Sequence, residues 1–428
     1  LLLISVAIVA ILLLQDPDAP LIPSLRPAPE IPPSLSLDPR LLQSRLDQIV
    51  AVDPGTDIQA VVDEHPPGSI FLIRSGIYRL QQIVPRDGDI FIGEPGAVLN
   101  GARLLEGFEA ENDYWLLRDQ PEELWVAGEC LSDFPRCNYA NDLFLDDKPL
   151  QQAGSLDDLE PNTWFFDYDS RTIYLAADPT NRVIELSSRV AAFQSEARDV
   201  LIYGLTVEKY AGPGQVGAIR AIDGSNWRIE GSVVRLNSGG GITVGNGTQV
   251  INNRVIDNGQ IGVSGIGDNI VVEGNEIAHN NFAGYDAGWE AGGTKFVESR
   301  DLLVRGNYVH HNHGPGLWTD GSNINVLYEH NLVVNNGGTG IFHEISYDAV
   351  IRDNVVMYNA ATTRQMFAGG IHAGRGRGRS TQSACRGING AGHRHRAWHQ
   401  RCASGRRRRA VVAAGLQLHA APHLPPVG

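Results

Sequence analysis

Between residues 232 and 359 the apolar and polar positions follow a beat that returns, with one exception, every 21 to 24 residues. The motif Asn-x-[Val/Ile]-x-x-Asn marks it, starting at Asn253, Asn275, Asn307, Asn331 and Asn354, with a weaker copy at Ser232. Three and five residues before the lead Asn lie apolar pairs: Ile270/Val272, Leu302/Val304, Val326/Tyr328 and Ala349/Ile351. Two residues after it lies Val255, Ile277, Val309, Val333 or Val356. Spacing by two puts such residues on one face of a strand. The unit is too short for paired helices and carries no 3.6-residue stripe. The pattern therefore predicts several short strands per unit, stacked coil upon coil.

Stacking gives the recurrent polar positions a role. The second Asn of each copy falls at one place in every coil, where amides a strand spacing apart can hydrogen-bond into a ladder. Nine residues after the lead position comes Gly241, Gly262, Gly284, Gly316 or Gly340, which predicts a turn with positive φ. The exceptional interval, between the copies at 275 and 307, is 32 residues. It holds "GWEAGGTKF" and about ten residues more than its neighbours, so one coil carries a loop.

Two other regions leave the beat. "DLFLDDKPLQQAG" and "NTWFFDYDSRTIYLAADP" read as hairpins with Asp-rich turns, which makes residues 105–190 an inserted β-rich subdomain. Trp115, Trp125, Trp164 and Phe165 serve there as a small core or a sugar surface. Upstream, "TDIQAVVDEHPPGSIFLIRSGIYRLQQIVPRDGDIFIGEPGAVLNG" reads as a short helix followed by a first coil. Over roughly residues 55–104 and 195–372, these features together resemble the right-handed parallel β-helix proteins of the pectate-lyase-like superfamily. The resemblance implies an all-β fold, a right-handed parallel β-helix with a short N-terminal capping helix and an inserted small β subdomain. It does not imply one reaction, since the polygalacturonase and calcium-lyase motifs of that superfamily are not evident here.

The remaining segments are read from composition. "LLLISVAIVAILLL", residues 1–14, is shorter than the about 20 residues of a bilayer span and reads as a signal peptide or membrane anchor. Residues 15–50 are a Pro-rich linker, 51–104 the cap and first coils, and 191–372 the main helix. From residue 373 the periodicity stops. The stretch from Gly374 has eleven Arg and no Asp, Glu or Lys, and reads as a frameshifted, disordered tail. Without it, 24 basic residues face 49 acidic ones, a net −25. That body excludes nucleic acid as a partner, which needs a basic footprint, and suits an exported protein, secreted or membrane-anchored. Cys130 and Cys137, in "CLSDFPRC", are either a local disulfide or two free thiols.

Counting from each lead Asn, Ile242, Val263, Tyr285, Leu317 and Ile341 fall in one inward column. The outward columns then read Thr243, Ser264, Asp286, Trp318, Phe342 and Gly245, Ile266, Gly288, Asp320, Glu344. His343, by parity, points inward as a hydrogen-bonded core residue. Asp320 and Glu344 share a slot in adjacent coils, about 5 Å apart, and the loop adds Trp289, Glu290 and Lys295 beside them. Paired carboxylates separate each other's pKa values, as acid and base or nucleophile require; Lys295 is an alternative base for β-elimination. Catalytic candidates are Glu290, Lys295, Asp320 and Glu344, and substrate-binding candidates Asp286, Trp289, Trp318, Phe342 and His372. Such chemistry needs no cofactor, although stacked acids also suit Ca²⁺. The expectation is an exported, monomeric polysaccharide-active enzyme, a glycoside hydrolase or polysaccharide lyase. The alternative is a non-catalytic carbohydrate-binding or cell-surface β-helix protein; a trimeric fibre subunit is a third option.

Overall fold

The computed structural model describes residues 49–360 and 369–373. The N-terminal apolar segment, nearly all of the Pro-rich linker and the Arg-rich tail lie outside these residues. No helix among the described residues is long and apolar enough to cross a membrane.

The chain winds into a right-handed parallel β-solenoid. Among the described residues its three faces are parallel sheets of ten, nine and eight strands. From Leu201 onward each coil contributes one strand to each face, and the sequence periodicity sets the register. On the first face Ile229, Val250, Val272, Val304, Tyr328 and Ile351 pair in succession. On the second, Val234, Val255, Ile277, Val309, Val333 and Val356 do the same. All of them are buried in one continuous core. Each fully buried aliphatic side chain contributes about 1.5–3 kcal/mol, and β-branched residues fit the pleated columns without rotamer cost.

Corners are held by amides. Asn253, Asn275, Asn307, Asn331 and Asn354 form one ladder, each Nδ2 donating to the next Oδ1 at 2.9–3.1 Å. A second ladder runs from Asn237 through Asn258, Asn280, Asn312 and Asn336 to Asn359 at 2.8–2.9 Å. The 32-residue coil does not interrupt either ladder.

Of the five recurrent glycines only Gly284 has the expected positive φ, 85°, and the other four do a different job. Gly241, Gly262, Gly316 and Gly340 are not at positive φ. A β-carbon on Gly241 would sit 2.9 Å from Asn258 Nδ2 and 2.8 Å from the Gly262 carbonyl; one on Gly316 would meet Asn336 and Gly340 in the same way. These residues are small because the next coil's carbonyl and the ladder amide press on them. The column member of the long coil is Gly293, against Asn312 and the Gly316 carbonyl, not Gly284. Left-handed backbone occurs instead just after each second-face strand, at Leu236, Asp257, His279, His311, Asn335 and Tyr358.

The helix Ile58–Glu64 starts at Asp57, whose carboxylate accepts from the Gln59 and Ala60 amides, and buries Ile58 and Val62. Phe91 pairs directly with Ile202, and Leu99 with Val207, so the chain leaves the solenoid near Asn100 and rejoins one strand further on. In between, eight strands form a separate, largely antiparallel sheet. Its core includes Trp164, Phe166, Ile173 and Leu186, so Trp164 is structural. Glu185 ties this sheet to the solenoid, accepting from Arg79 at 2.6 Å and Asn100 at 3.1 Å and pairing with the buried Lys209.

Candidate active site

The third face carries the candidate residues, and its register differs from the count made from the lead Asn. In the long coil the strand is Gly292–Arg300. Val263 pairs with Thr294, Ser264 with Lys295, and Ile266 with Val297. Phe296 then pairs with Thr319 and Val297 with Asp320. The extra residues are therefore spent before the strand. Thr294, not Tyr285, fills the inward column; Lys295, not Asp286, holds the outward slot; and Val297, not Gly288, precedes Asp320.

The loop itself has another anchor. Cys130 and Cys137 form a disulfide. Tyr285, Ala291, Phe134 and Trp289 pack around it. The Leu131 amide donates to the Gly284 carbonyl and the Asp286 amide to the Glu129 carbonyl, at 3.0 and 2.9 Å. The Asp286 carboxylate caps a short 3-10 turn, Ala287–Trp289, at 2.7 Å from the Gly288 amide. Trp289 stacks on Tyr285. These two candidates thus hold the loop on the inserted sheet.

At the loop's end Glu290 adopts left-handed backbone, φ 67°, and turns towards Lys295. Lys295 Nζ lies 2.9 Å from Glu290 Oε1, 3.0 Å from Asp320 Oδ2 and 3.8 Å from the centroid of the Trp318 ring. Its side chain is only 5 % exposed. Glu290 also accepts from the Gln215 side chain, and the buried Gln260 donates to the Glu290 carbonyl at 3.1 Å. These two glutamines lie in turns outside the repeated motif, where periodicity gives no signal for them.

Beyond Lys295 the outward column continues as Trp318, Phe342 and His372. Trp318 and Phe342 stack at 5.4 Å and 20°, and His372 meets Phe342 edge-on at 5.3 Å. Trp318 and Phe342 are each 5 % exposed, so their faces are spent within the column.

Thr319 pairs with His343, and the Glu344 amide donates to the Thr319 carbonyl at 2.7 Å, which brings Glu344 level with Asp320. Burial pushes the Glu344 carboxyl above the usual range and the Asp320 charge adds to the rise; Lys295 and the nearby Trp318 indole oppose it. The Trp318 indole N–H makes no well-formed hydrogen bond among the described residues, and neither does the buried Asp320 Oδ1. The indole N–H thus faces the Glu344 carboxyl, and Asp320 Oδ1 is left as an acceptor for a bound hydroxyl group. His343 lies in the core, its two ring nitrogens 2.7 Å from Thr319 Oγ1 and the Tyr347 carbonyl.

A cavity of about 610 Å³ opens on the second face, beside the inserted sheet. Its Arg79, Asp147, Glu185, Glu208, Lys209 and Arg235 satisfy one another as ion pairs. It is a charged seam between solenoid and inserted sheet.

Residues 217–385 match the family model described as "Right handed beta helix region". No curated protein matches the chain by sequence. Among solved structures the chain is similar to XylC in complex with xylose, at 16% identity and a TM-score of 0.61, covering 73% of this chain and 66% of that one. It is also similar to a protein described as a glycoside hydrolase, at 10% identity and a TM-score of 0.54, covering 80% and 95%. The chain thus spans just under two thirds of the length of XylC. At these identities the likeness is one of fold.

Proposed function

From a right-handed parallel β-helix with two carboxylates level on adjacent coils of a covered face, we propose a carbohydrate-active enzyme, a glycoside hydrolase of the retaining kind. The single observation that carries this is the placement of Asp320 and Glu344 level with each other just past the Thr319–His343 pair, with Asp320 ion-paired to Lys295. Strands in register stand about 4.8 Å apart, and carboxyl groups at about 5–5.5 Å suit a retaining mechanism. The xylose complex and the glycoside hydrolase description of the two fold neighbours add support for a sugar substrate.

In this reading Glu344, its carboxyl raised by burial and by Asp320, gives its proton to the glycosidic oxygen as the bond to the anomeric carbon breaks. Asp320, its charge compensated by Lys295, attacks that carbon and forms a glycosyl ester. Glu344, now a carboxylate, takes a proton from water, which attacks the same carbon and returns Asp320 to its starting state. Lys295, with Glu290 as its second partner, is a positioning cation. Ion-paired on two sides and nearly buried, it is poorly placed to take a proton from a uronate, so elimination is the weaker reading. An ammonium at 3.0 Å likewise occupies the place a Ca²⁺ ion would take beside Asp320. The acidic body and the Cys130–Cys137 disulfide fit an exported protein in an oxidising compartment.

The test is a panel of aryl glycosides and oligosaccharides. Hydrolysis with retained anomeric configuration is expected; for substrates whose phenol leaving group needs no proton, Glu344→Gln should spare the first step, read as kcat/KM, and slow hydrolysis of the glycosyl ester, read as a lowered kcat. Tight glycan binding without turnover would replace the enzyme by the binding protein. An unsaturated, ultraviolet-absorbing product would replace hydrolysis by elimination.

A further inference from the structure

The structure carries a second cluster of chemistry-bearing side chains, on the corner after the second face. The motif copies "NEIAHN" and "NYVHHN" end the second-face strands Glu276–Ala278 and Tyr308–His310 and place His279 and His311 in the left-handed column. Their rings stack at 5.2 Å and 13°. His310, at the end of its strand, stands almost perpendicular to both, at 87° and 89°. One ring nitrogen from each of the three residues lies within 4.8 Å of the other two. We propose that His279, His310 and His311 bind a divalent transition-metal ion of the Zn²⁺, Ni²⁺ or Cu²⁺ class, clipping two adjacent coils together.

Several observations converge on this. His310 Nδ1 and His311 Nδ1 are 2.9 Å apart. Two nitrogens on one tetrahedral Zn²⁺, each at about 2.0–2.1 Å, stand about 3.3 Å from one another, so a small spreading seats both. His310 is 8 % exposed, and its other nitrogen, Nε2, lies 3.4 Å from Glu276 Oε1 without a well-formed hydrogen bond. A carboxylate on the far nitrogen of a ligand histidine fixes the tautomer and raises its basicity. Glu276 is itself held by Arg254 at 2.6 Å. Asp257 occupies the left-handed slot of the coil before His279, adding a second acid to the corner. His279 and His311 are exposed, which leaves the remaining coordination positions to solvent. An all-imidazole set favours borderline transition ions over Ca²⁺ or Mg²⁺, which prefer oxygen.

A neighbouring coil supplies the substitution suited to this corner. Asn335 holds the same left-handed slot one coil on, so asparagine is compatible with that backbone and His279→Asn and His311→Asn should fold. The experiment is titration of the full, untagged chain with Zn²⁺ by calorimetry, and with Co²⁺ followed by visible absorption. One saturating site is expected, with the bands of nitrogen-coordinated Co²⁺ and a metal-dependent rise in Tm. Each single variant should weaken binding at least 10-fold, and Glu276→Gln about 10-fold. Electron paramagnetic resonance of bound Cu²⁺ on the unaltered chain should show coupling to several nitrogens, independently of any variant's folding. Absence of saturable binding overturns the proposal. So does binding unchanged in the His279→Asn/His311→Asn double variant, which would place it on the histidines of the C-terminal segment.

Discussion

Lys295 and Asp320 join neighbouring coils through a 3.0 Å contact made by an ammonium that is almost wholly shielded from solvent. One cation thereby serves two carboxylates, Glu290 from the loop and Asp320 from the strand. Removing it leaves both acids uncompensated. Lys295→Met is expected to lower stability by about 1–3 kcal/mol, less than a fully buried pair would lose because both acids keep some solvent. Adding Glu290→Gln should recover part of the loss, so a double-mutant cycle read by urea unfolding gives a coupling energy well away from zero. A cycle that closes to zero would remove the cation from its assigned place.

Asp320→Asn tests the nucleophile. The substitution keeps shape and removes charge, so turnover of aryl glycosides should fall by about 10²-fold or more while Tm changes by only a few degrees. A variant that retains more than a tenth of the wild-type rate would exclude Asp320 from bond formation.

Glu344 ties activity to pH with a definite sign. Its carboxyl is raised, first by burial and then by the Asp320 charge. The folded protein therefore holds that proton at pH values where the unfolded chain has released it. Stability contributed by this group is complete below the ordinary glutamate range and is lost as pH rises through the elevated folded value. The alkaline limb of the kcat/KM profile should reflect the same ionisation. In Glu344→Gln both the limb, measured on substrates with good leaving groups, and this part of the Tm dependence should flatten.

Gly293 and Gly288 contrast a glycine pressed by the ladder with one in the loop of the same coil. A methyl at Gly293 would sit 2.3 Å from the Gly316 carbonyl and 3.1 Å from Asn312 Nδ2. At Gly288 it would meet only the Asp286 carboxylate, at 3.1 Å. Gly293→Ala should cost about 1–3 kcal/mol and Gly288→Ala less than about 0.5, measured by equilibrium unfolding. Equal effects would mean that the column does not pass through Gly293.

How much of this was legible in the residues follows from what each pattern encodes. Alternation at Val255, Ile277, Val309 and Val333 specifies a face and a register, and the columns form as the spacing dictates. The alignment of Asp320 with Glu344 was legible for the same reason, since no extra residues separate them from their lead Asn. The long coil was not, because glycine stands at both 284 and 293 and composition does not say which one meets the ladder. Only the steric demand of Asn312 decides it. That choice moves Lys295 into the outward slot and sends Asp286 and Trp289 to the disulfide. The roles of Gln215 and Gln260 depend on contacts 75 and 30 residues away in sequence, beyond any local signal. The histidine triad was visible as letters within the repeat, but its convergence needs the left-handed turn that stacks one coil's ring upon another's.

The uninterrupted amide ladders make that corner a tolerant splice point. Asn280 and Asn312 bond at 2.8 Å although 32 residues separate them, as closely as pairs separated by 21 to 24. The scaffold thus keeps time on the inside while its outer segments vary in length. New loops grafted after Asn258 or Asn336 should roof neighbouring stretches of the same face, so that such a solenoid can acquire a different substrate preference without renegotiating its core.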